Sequence, residues 1–235
     1  MEHNTILLKL SGEALQSINK DASICYDKLN FFIEEIKSVK ALGYKIAIVI
    51  GGGNILRGAN ISSNGLTRTK ADNMGMLATI INSIAVEDAL NNNGVPAVLL
   101  SAIEVNKVCD FYTAEKAKQI LEENKIVIIA GGLSNPYFST DTAVVLRALE
   151  INASSVYKGT QVDGVYDADP NKNSNAKRYS QISYDEVILN KLGIMDMTAI
   201  LLAQKEKLPI IIFDIHKKGN FKLMVEDSSK RSTIK

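Results

Sequence analysis

The sequence contains little of the chemistry that many enzyme classes require. Its two cysteines, Cys25 and Cys109, are far apart and form no C-x-x-C pair, so neither a structural disulfide nor a metal site is indicated. Its two histidines, His3 and His216, lack a partner at the spacing of a metal site or a catalytic triad. We expect two buried free thiols and neither zinc nor hydrolase chemistry.

An excess of one charge and long apolar runs are also missing. The formal net charge is +1, which leaves no polybasic surface for a nucleic-acid backbone. No apolar run approaches the roughly 18 residues of a membrane span, and the N-terminus lacks the basic start of a secretion signal. We expect a cytoplasmic protein whose partners include neither nucleic acid nor membrane.

Three familiar motifs are absent. The segment that begins at Gly51 fails the dinucleotide pattern G-x-G-x-x-G because Leu56 occupies the place of the third glycine. Neither G-x-x-x-x-G-K-[ST] nor G-x-S-x-G occurs. A nicotinamide oxidoreductase, a Walker-type nucleotide site and a serine hydrolase are therefore poor interpretations.

Apolar runs alternate with segments of helical periodicity. Runs rich in Ile, Leu and Val at 6–10, 45–50, 95–100, 125–130, 154–158 and 209–214 are near-continuous, as in strands buried on both faces. Helical spacing lies between several of them. The alternation predicts an α/β fold with a mostly parallel sheet.

Local signals place some of the boundaries. We expect one helix to open at Asp72 and Asn73, another at Thr140 and Asp141, and a third at the capping box that begins with Ser183. The pair Asp163 and Gly164 indicates a hairpin turn, followed by a polar loop at 169–175.

Glycine-containing turns follow three of the predicted strands. Such turns expose backbone N–H groups, and a following helix adds its positive dipole end, so phosphate is the expected ligand. Three of them in one chain indicate several phosphates. The segments are Lys9-Leu10-Ser11-Gly12, Gly51-Gly52-Gly53-Asn54 and Gly131-Gly132-Leu133-Ser134-Asn135.

Charged residues accompany these turns. Lys9 and Lys158 each end an apolar run just before small residues, and two such lysines could hold one phosphoryl group from opposite sides. Arg57 follows the glycine triplet, where a guanidinium can grip a phosphate with two hydrogen bonds. Taken singly, the lysines are more simply exposed surface residues, and Asp72 and Asp141 are more simply helix caps.

Taken together, these segments resemble the bacterial uridylate kinases, a branch of the amino acid kinase superfamily, nearly end to end. The Lys9 turn, the glycine triplet and Val162-Asp163-Gly164-Val165 are similar to the whole superfamily, which includes carboxylate and carbamate kinases. The stretches at 72–79 and 135–141 are similar to the uridylate branch and indicate UMP as the acceptor.

The resemblance implies a fold and an activity. We expect a three-layer α/β/α sandwich in a single domain over residues 1–235, with UMP in about 1–150 and ATP with Mg²⁺ in about 151–235. The implied reaction transfers the γ-phosphoryl group of ATP to UMP, giving UDP and ADP in pyrimidine nucleotide (CTP) biosynthesis. A homohexamer with UTP as feedback inhibitor is also implied.

The resemblance further implies roles for individual residues, but it assigns no direct metal ligands. The implied catalytic residues are Lys9 and Lys158, which flank the γ-phosphoryl group, and Asp141 and Asp196, which orient the lysines or their water and metal shell. The implied ATP-binding residues are Lys9, Leu10, Ser11, Gly12, Gly53, Arg57, Thr160, Tyr166 and Asp169. The implied UMP-binding residues are Gly52, Arg57 on the phosphate, Asp72 on the ribose hydroxyls, Leu133, Ser134, Asn135, Pro136, Tyr137, Phe138, Ser139 and Thr140.

The chain also departs from the pattern it resembles. The stretch at 16–21 is shorter than usual, and Glu87 replaces a commonly basic residue, both in regions linked to GTP activation. We therefore expect weak or absent activation by GTP. Leu133 and Ser134 replace the commoner Thr-Gly, and Gln161 replaces a commonly basic neighbour of the ATP site.

Two alternatives remain open from the residues. One is a carboxylate or carbamate kinase of the same fold. The other is a non-enzymatic nucleotide-binding protein, which would bind nucleotide without producing ADP.

Overall fold

The computed structural model describes residues 4–17, 19, 21–56 and 65–235. Most of the strands are short and rich in Ile, Leu and Val, as the sequence predicts. They are β1 (Thr5–Leu10), β2 (Lys45–Ile50), β3 (Ala97–Ser101), β4 (Asp110–Phe111), β5 (Ile126–Ala130), β6 (Ser155–Thr160), β7 (Val165–Tyr166), β8 (Arg178–Tyr179), β9 (Gln181–Ile182), β10 (Ile210–Asp214) and β11 (Ser232–Ile234).

Seven α-helices lie in the described ranges. They are α1 (Tyr26–Lys40), α2 (Arg68–Asn92), α3 (Ala114–Glu122), α4 (Thr140–Glu150), α5 (Tyr184–Leu189), α6 (Met197–Glu206) and α7 (Asn220–Glu226). Short 3₁₀ turns occur at Gly12–Leu15 and Ser228–Lys230. None of these helices combines the length and apolar character needed to cross a bilayer.

Nine strands form one sheet in the order β4-β3-β5-β2-β1-β6-β10-β11-β9. All neighbours in this sheet are parallel except β10 and β11. The remaining strands, β7 and β8, pair with each other in antiparallel fashion. The mostly parallel sheet confirms the predicted α/β class.

Helices cover both faces of the sheet. Successive strand residues point to opposite sides, so each face presents apolar side chains to the helices that cover it. On one face Leu8 packs in a core with residues of α1, α2 and α7. On the other, Leu7 packs in a second core with residues of α3, α4, α5 and α6. This arrangement is the expected α/β/α sandwich. The assignment of residues 1–150 to UMP and 151–235 to ATP stays a prediction. Strands β1 and β6, one from each part, pair directly within one sheet.

Several helix boundaries differ from expectation. Helix α2 begins at Arg68, so Asp72 lies in its second turn rather than at its start. The residue before α2, Thr67, is of a type favoured at N-caps, but its side chain makes no capping bond. Helix α4 begins at Thr140 as expected, but Ser139 provides its cap. The capping box of Ser183 is confirmed.

The hairpin predicted at Asp163 and Gly164 is wrong. These residues lead into β7, whose partner β8 lies beyond the polar loop at 169–175. Gly164 is needed for close packing instead, because an added Cβ would lie 2.6 Å from Nε of Arg178. The expectation of two buried thiols is wrong as well: Cys25 and Cys109 are free but only half-buried.

A buried carboxylate secures α7 to α1. Glu35 of α1 is 3% exposed and accepts hydrogen bonds from the backbone N–H groups of Gly219 and Phe221 at the start of α7. It therefore satisfies donors that a helix start leaves unpaired. This contact fixes the segment between β10 and α7.

We predict that Glu35→Ala lowers the free energy of unfolding by about 1–3 kcal/mol, because it leaves two N–H groups at the start of α7, that of Phe221 being buried, without acceptors. Urea unfolding followed by circular dichroism measures the change. The neighbouring Glu34→Ala is the control, since Glu34 forms only an exposed pair with Lys37 and should cost less than about 0.5 kcal/mol. Equal losses in both variants would contradict this role of Glu35.

Candidate active site

Two lysines lie side by side at the carboxyl ends of the central strands. Lys9 of β1 and Lys158 of β6 are register partners, so both point to the same face of the sheet. The two side chains are 12% and 10% exposed. The two side chains extend from neighbouring strands of the sheet.

One carboxylate lies between the two ammonium groups. Asp141, in the first turn of α4, has its Oδ1 3.3 Å from Nζ of Lys9 and its Oδ2 2.9 Å from Nζ of Lys158. Burial by itself raises the pKa of Asp141, but Lys158 and Lys9 together bring that pKa below its ordinary value. The cluster therefore holds two cationic side chains and one anion, with a formal charge of +1.

Burial acts on Lys158 as well. It lowers the pKa of this lysine against the opposing effect of Asp141, and the positive charge of Lys9 lowers it further. Lys158 also donates a hydrogen bond to the carbonyl of Ile194, at the turn before α6. The ammonium group is thus held in place from two sides.

A second aspartate joins the starts of two helices. Asp196 caps α6 by accepting from the N–H of Ala199 at 2.9 Å, and it also accepts from the hydroxyls of Ser139 and Thr142. Ser139 in turn caps α4. Among the described residues Asp196 forms no ion pair with a lysine, although its charge raises the pKa of Lys158 against the stronger effect of burial. Its direct contacts are therefore with the helix that carries Asp141.

Three cavities lie at this edge of the sheet. The lysine cavity, about 280 Å³, is lined by Lys9, Ser11, Glu13, Ala14, Lys158, Gly159, Thr160, Gln161, Ile215 and His216. The large cavity, about 590 Å³, shares Lys158 and Thr160 with it and extends to Tyr166 and Asp169. On the other side, the glycine-turn cavity, about 260 Å³, contains Gly52, Gly53, Arg68, Asp72, Phe138, Ser139 and Thr140 among its lining residues.

The inward face of α2 holds the turns that shape the glycine-turn cavity. The amide of Asn82 donates to the carbonyl of Gly51 at 2.7 Å and pairs reciprocally with the side chain of Asn54. The hydroxyl of Thr79 accepts from the N–H of Gly131 at 2.9 Å. At Gly52 an added Cβ would lie 2.7 Å from the carbonyl oxygen of Gly75, so α2 packs directly on the turn.

Asp72 connects α2 to the loop between β5 and α4. Its carboxylate accepts from Nε of Arg68 and from the N–H of Tyr137, each at 2.8 Å. The guanidinium of Arg68 lies 5.6 Å from the centre of the Tyr137 ring. Ser134 and Tyr137 adopt the left-handed conformation, at φ 59° and 74°, which non-glycine residues rarely occupy. This loop is held in a specific shape by Asp72.

Comparison with known proteins identifies the family. Residues 4–214 match the model of the amino acid kinase family. The chain belongs to the amino acid kinase family. It is 47% identical over 234 residues to the uridylate kinase of Rickettsia canadensis (strain McKiel) and 46% to that of Rickettsia prowazekii (strain Madrid E), covering 100% of this chain and 96% of each relative.

Solved structures agree with this amino acid kinase assignment. The UMP kinase from Bacillus anthracis superposes with a TM-score of 0.94 at 34% identity, over 98% of this chain and 95% of that one. The UMP kinase from Ureaplasma parvum gives a TM-score of 0.94 at 36% identity, over 100% and 99% of the two chains. The amino acid kinase fold expected from the sequence is therefore confirmed.

The structure brings together many of the residues expected to form an amino acid kinase site. Lys9, Lys158 and Asp141 form one cluster, and Ser11 and Thr160 line the lysine cavity beside them. Tyr166 and Asp169 line the large cavity. Gly52, Asp72, Phe138, Ser139 and Thr140 line the glycine-turn cavity.

Other expected residues are placed differently. The side chain of Leu10 is buried in the core, and Gly12 serves close packing, since an added Cβ would lie 2.4 Å from the carbonyl oxygen of Gly51. Gly53, expected with ATP, lines the glycine-turn cavity instead. Leu133, Ser134, Asn135, Pro136 and Tyr137 belong to the β5–α4 loop but do not line that cavity. Arg57 lies outside the described residues.

Sequence reasoning missed several residues of this amino acid kinase site. Arg68 and Thr142 carry no motif, and their contacts to Asp72 and Asp196 depend on the fold. Thr79, Asn82 and Ser83 are buried polar residues within a mostly apolar helical stretch, and polar residues in such positions could have signalled structural partners.

Metal-ligating side chains do not cluster in the described part of the chain. No group of three or more His, Cys, Asp or Glu residues is found there. The carboxylate between the two lysines, Asp141, is engaged with both of them.

We predict that Asp141→Asn lowers the free energy of unfolding at pH 7 by about 2–4 kcal/mol, because two buried ammonium groups lose their counter-charge. The pKa of Asp141 is lowered on folding, so its stabilising charge is fully present above the ordinary pKa and is lost as pH falls through the lowered one. The difference between native chain and variant should shrink over that acidic range.

Chemical denaturation at several pH values measures this difference. Asp110→Asn is the matched control, because Asp110 pairs with Lys116 at an exposed site and should contribute less than about 1 kcal/mol. A pH-independent difference between the native chain and Asp141→Asn would contradict the charge assignment.

Proposed function

We propose that this chain transfers the γ-phosphoryl group of ATP to UMP, producing UDP and ADP for pyrimidine nucleotide synthesis. The observation that carries the proposal is the lysine pair, which lines a cavity at the same carboxyl edge of the sheet as the large cavity and the glycine-turn cavity. Ligands of open α/β sheets bind at this edge. The uridylate kinase relatives supply the substrate assignment.

The acceptor is assigned to the glycine-turn cavity and the donor to the large cavity. Backbone N–H groups of the glycine turn and the start of α4 provide dipoles for the UMP phosphate. Arg68 contributes a guanidinium to the same cavity, and Asp72 is assigned to the ribose. The large cavity, with Tyr166 and Asp169, has the volume for the nucleoside of ATP.

The chemistry proposed here needs no strong general base. A phosphate monoester with a second pKa of about 6 is largely dianionic at neutral pH, so the acceptor oxygen is already nucleophilic. The main barrier is to hold two polyanions together and neutralise the charge that spreads over the transferring group. The lysine cluster, with its formal charge of +1, supports this role of Lys9 and Lys158.

Mg²⁺ is assigned to the donor nucleotide. The carboxylate between the lysines, Asp141, is engaged by both of them, which fits a cation that arrives bound to ATP phosphates. Bound there, Mg²⁺ would neutralise phosphate charge, and the residues of this chain would orient the nucleotide around it.

The direct test is a coupled assay of ADP release. The chain is incubated with MgATP and, in parallel, UMP, CMP, aspartate, glutamate or carbamate. Activity with UMP well above all other acceptors supports the proposal. Preference for a carboxylate or carbamate would show the same fold with another acceptor, and nucleotide binding without ADP release would show a non-enzymatic protein.

We predict that Lys9→Ala and Arg57→Ala affect different kinetic constants. Lys9 is assigned to the transferring group, so its loss should lower kcat by about 100-fold or more with little change in KM for UMP. Arg57 is assigned to the UMP phosphate, so its loss should chiefly raise KM for UMP. Steady-state kinetics measure both.

The control for these variants is Lys45→Ala, because Lys45 lies at the start of β2 and pairs with Glu122. Its kinetic constants should match those of the native chain. The assignment of Lys9 and Arg57 is wrong if their effects on kcat and KM are exchanged.

A homohexamer with feedback inhibition by UTP is part of the same proposal. An apolar stripe on the outer face of α2 supports self-association. Met74, Leu77, Ile81 and Ile84 are spaced three or four residues apart and are 40–49% exposed. A contiguous exposed apolar surface of this kind marks an interface, and we assign it to a second copy of the chain.

We predict that Ile81→Glu shifts the chain to smaller assemblies, because a charge would be buried in each copy of the interface. Light scattering coupled to size-exclusion chromatography measures the mass. Glu115→Lys on α3, an exposed charge change on the opposite layer, is the control and should leave the mass unchanged. An unaltered mass for Ile81→Glu would remove α2 from the interface.

A further inference from the structure

His216 lies at the cavity that contains both lysines. It lines the lysine cavity together with Lys9, Lys158 and Thr160. The proposed chemistry gives it no role, and it is the only histidine among the described residues. The inference below rests on the proposed function, because it assigns His216 to the phosphates of the same donor nucleotide.

A glycine brings His216 to this place. At Gly159 an added Cβ would lie only 2.9 Å from Cβ of Ile215, so the chain after β10 can pack against β6 because the glycine has no side chain. The N–H of Ile215 donates to the carbonyl of Thr160 at 3.2 Å. His216 therefore follows directly after a backbone contact with the strand that carries Lys158.

The segment that carries His216 is fixed at several points. Its own N–H donates to the carboxylate of Asp214 at 2.9 Å, and the amide of Asn220 donates to the carbonyl of Asp214 at 2.6 Å. Glu35 holds the end of the segment at Gly219. The ring of His216 also rests edge-on against Phe32 of α1, with centroids 6.0 Å apart. The backbone around His216 is therefore fixed, and its ring contacts Phe32.

Charges of both signs face the ring. Partial burial lowers the pKa of His216, Asp214 raises it, and Lys28 of α1 lowers it. In the absence of ligand, the ring is therefore mostly neutral at pH 7. The charged groups around it are Asp214 and Lys217 from its own segment, Lys28 from α1, Lys9 from β1, Glu13 from the 3₁₀ turn and Lys158 from β6.

We propose that His216 binds the polyphosphate of the donor nucleotide as a protonated side chain, making nucleotide affinity depend on pH. A polyphosphate in the lysine cavity places negative charge beside the ring and favours imidazolium, which donates a charge-assisted hydrogen bond. Because the bound state then has the higher pKa, nucleotide binding takes up a proton. Affinity is highest below the pKa of the free chain and falls as pH rises through that of the complex.

The first experiment follows the ring itself. The chain is labelled with ¹³C-histidine, and its resonances are titrated by NMR from pH 5 to 8.5. Because the chain has two histidines, a spectrum of His216→Asn identifies the resonance of His216. A saturating non-hydrolysable Mg·ATP analogue should raise the pKa of His216 by about one pH unit or more. Adenosine, which carries no phosphate, should leave it unchanged.

The second experiment measures KM for MgATP from pH 5.5 to 8 with excess Mg²⁺ and saturating UMP. KM of the native chain should rise about three- to tenfold over this range relative to that of His216→Asn, as expected for loss of one charge-assisted hydrogen bond. His216→Lys should keep a low KM throughout. Lys218→Asn, an exposed neighbour outside the cavity, is the control and should follow the native profile.

The outcomes separate this inference from the proposed function. A His216 pKa that does not respond to the analogue, or identical pH profiles for the native chain and His216→Asn, would overturn the inference while UMP kinase activity remains. Absence of ADP release by the native chain would instead overturn the proposed function. The NMR titration uses the native chain, and a spectrum of His3→Asn also identifies the resonance of His216, so the titration decides the matter even if His216→Asn is unstable.

Discussion

The arrangement of this site depends on one carboxylate shared by two buried ammonium groups. Asp141 lies 3.3 Å from Lys9 and 2.9 Å from Lys158, and without it two like charges would face each other on adjacent strands. Asp141 neutralises only one of the two positive charges. The remaining positive charge can stabilise a phosphoryl group during transfer. The hydrogen bonds of Ser139, Thr142 and Asp196 fix the start of α4 and therefore the position of Asp141. Stability and proposed catalysis thus rest on the same contact.

The fold was largely predictable because its signals are local and repeated. Near-continuous apolar runs marked β1, β2, β3, β5, β6 and β10 but not the two-residue strands between them. Glycine turns after β1, β2 and β5 marked the edge where ligands gather. The predicted hairpin at Asp163 and Gly164 failed because a glycine that avoids a clash with Arg178 has the same sequence signature as a turn glycine. The start of α2 was misplaced because Thr67 and Asp72 are both residue types favoured at N-caps, and the sequence alone does not tell them apart.

The candidate site was predictable in its charged centre but not in its supports. Lys9, Lys158 and Asp141 were identified from their positions beside turns and from family resemblance, and the structure brings them together. The bonds of Asn82 to Gly51, or of Asp72 to Tyr137, join residues 31 and 65 positions apart, and no local pattern encodes such pairs. Likewise, no local pattern indicates that His216 lies beside the lysines, because its position depends on the close packing of the chain after β10 against Gly159 of β6.

Helix α2 gives the site an unusual mechanical property. Thr79 and Asn82 attach the turns after β5 and β2 to one face of a helix that is 25 residues long. A continuous helix of this length moves as a stiff rod, so neither turn can shift far while the other stays in place. The walls of the glycine-turn cavity should accordingly move together. A protein that packs against the outer face of α2 should therefore affect both walls of the cavity at the same time.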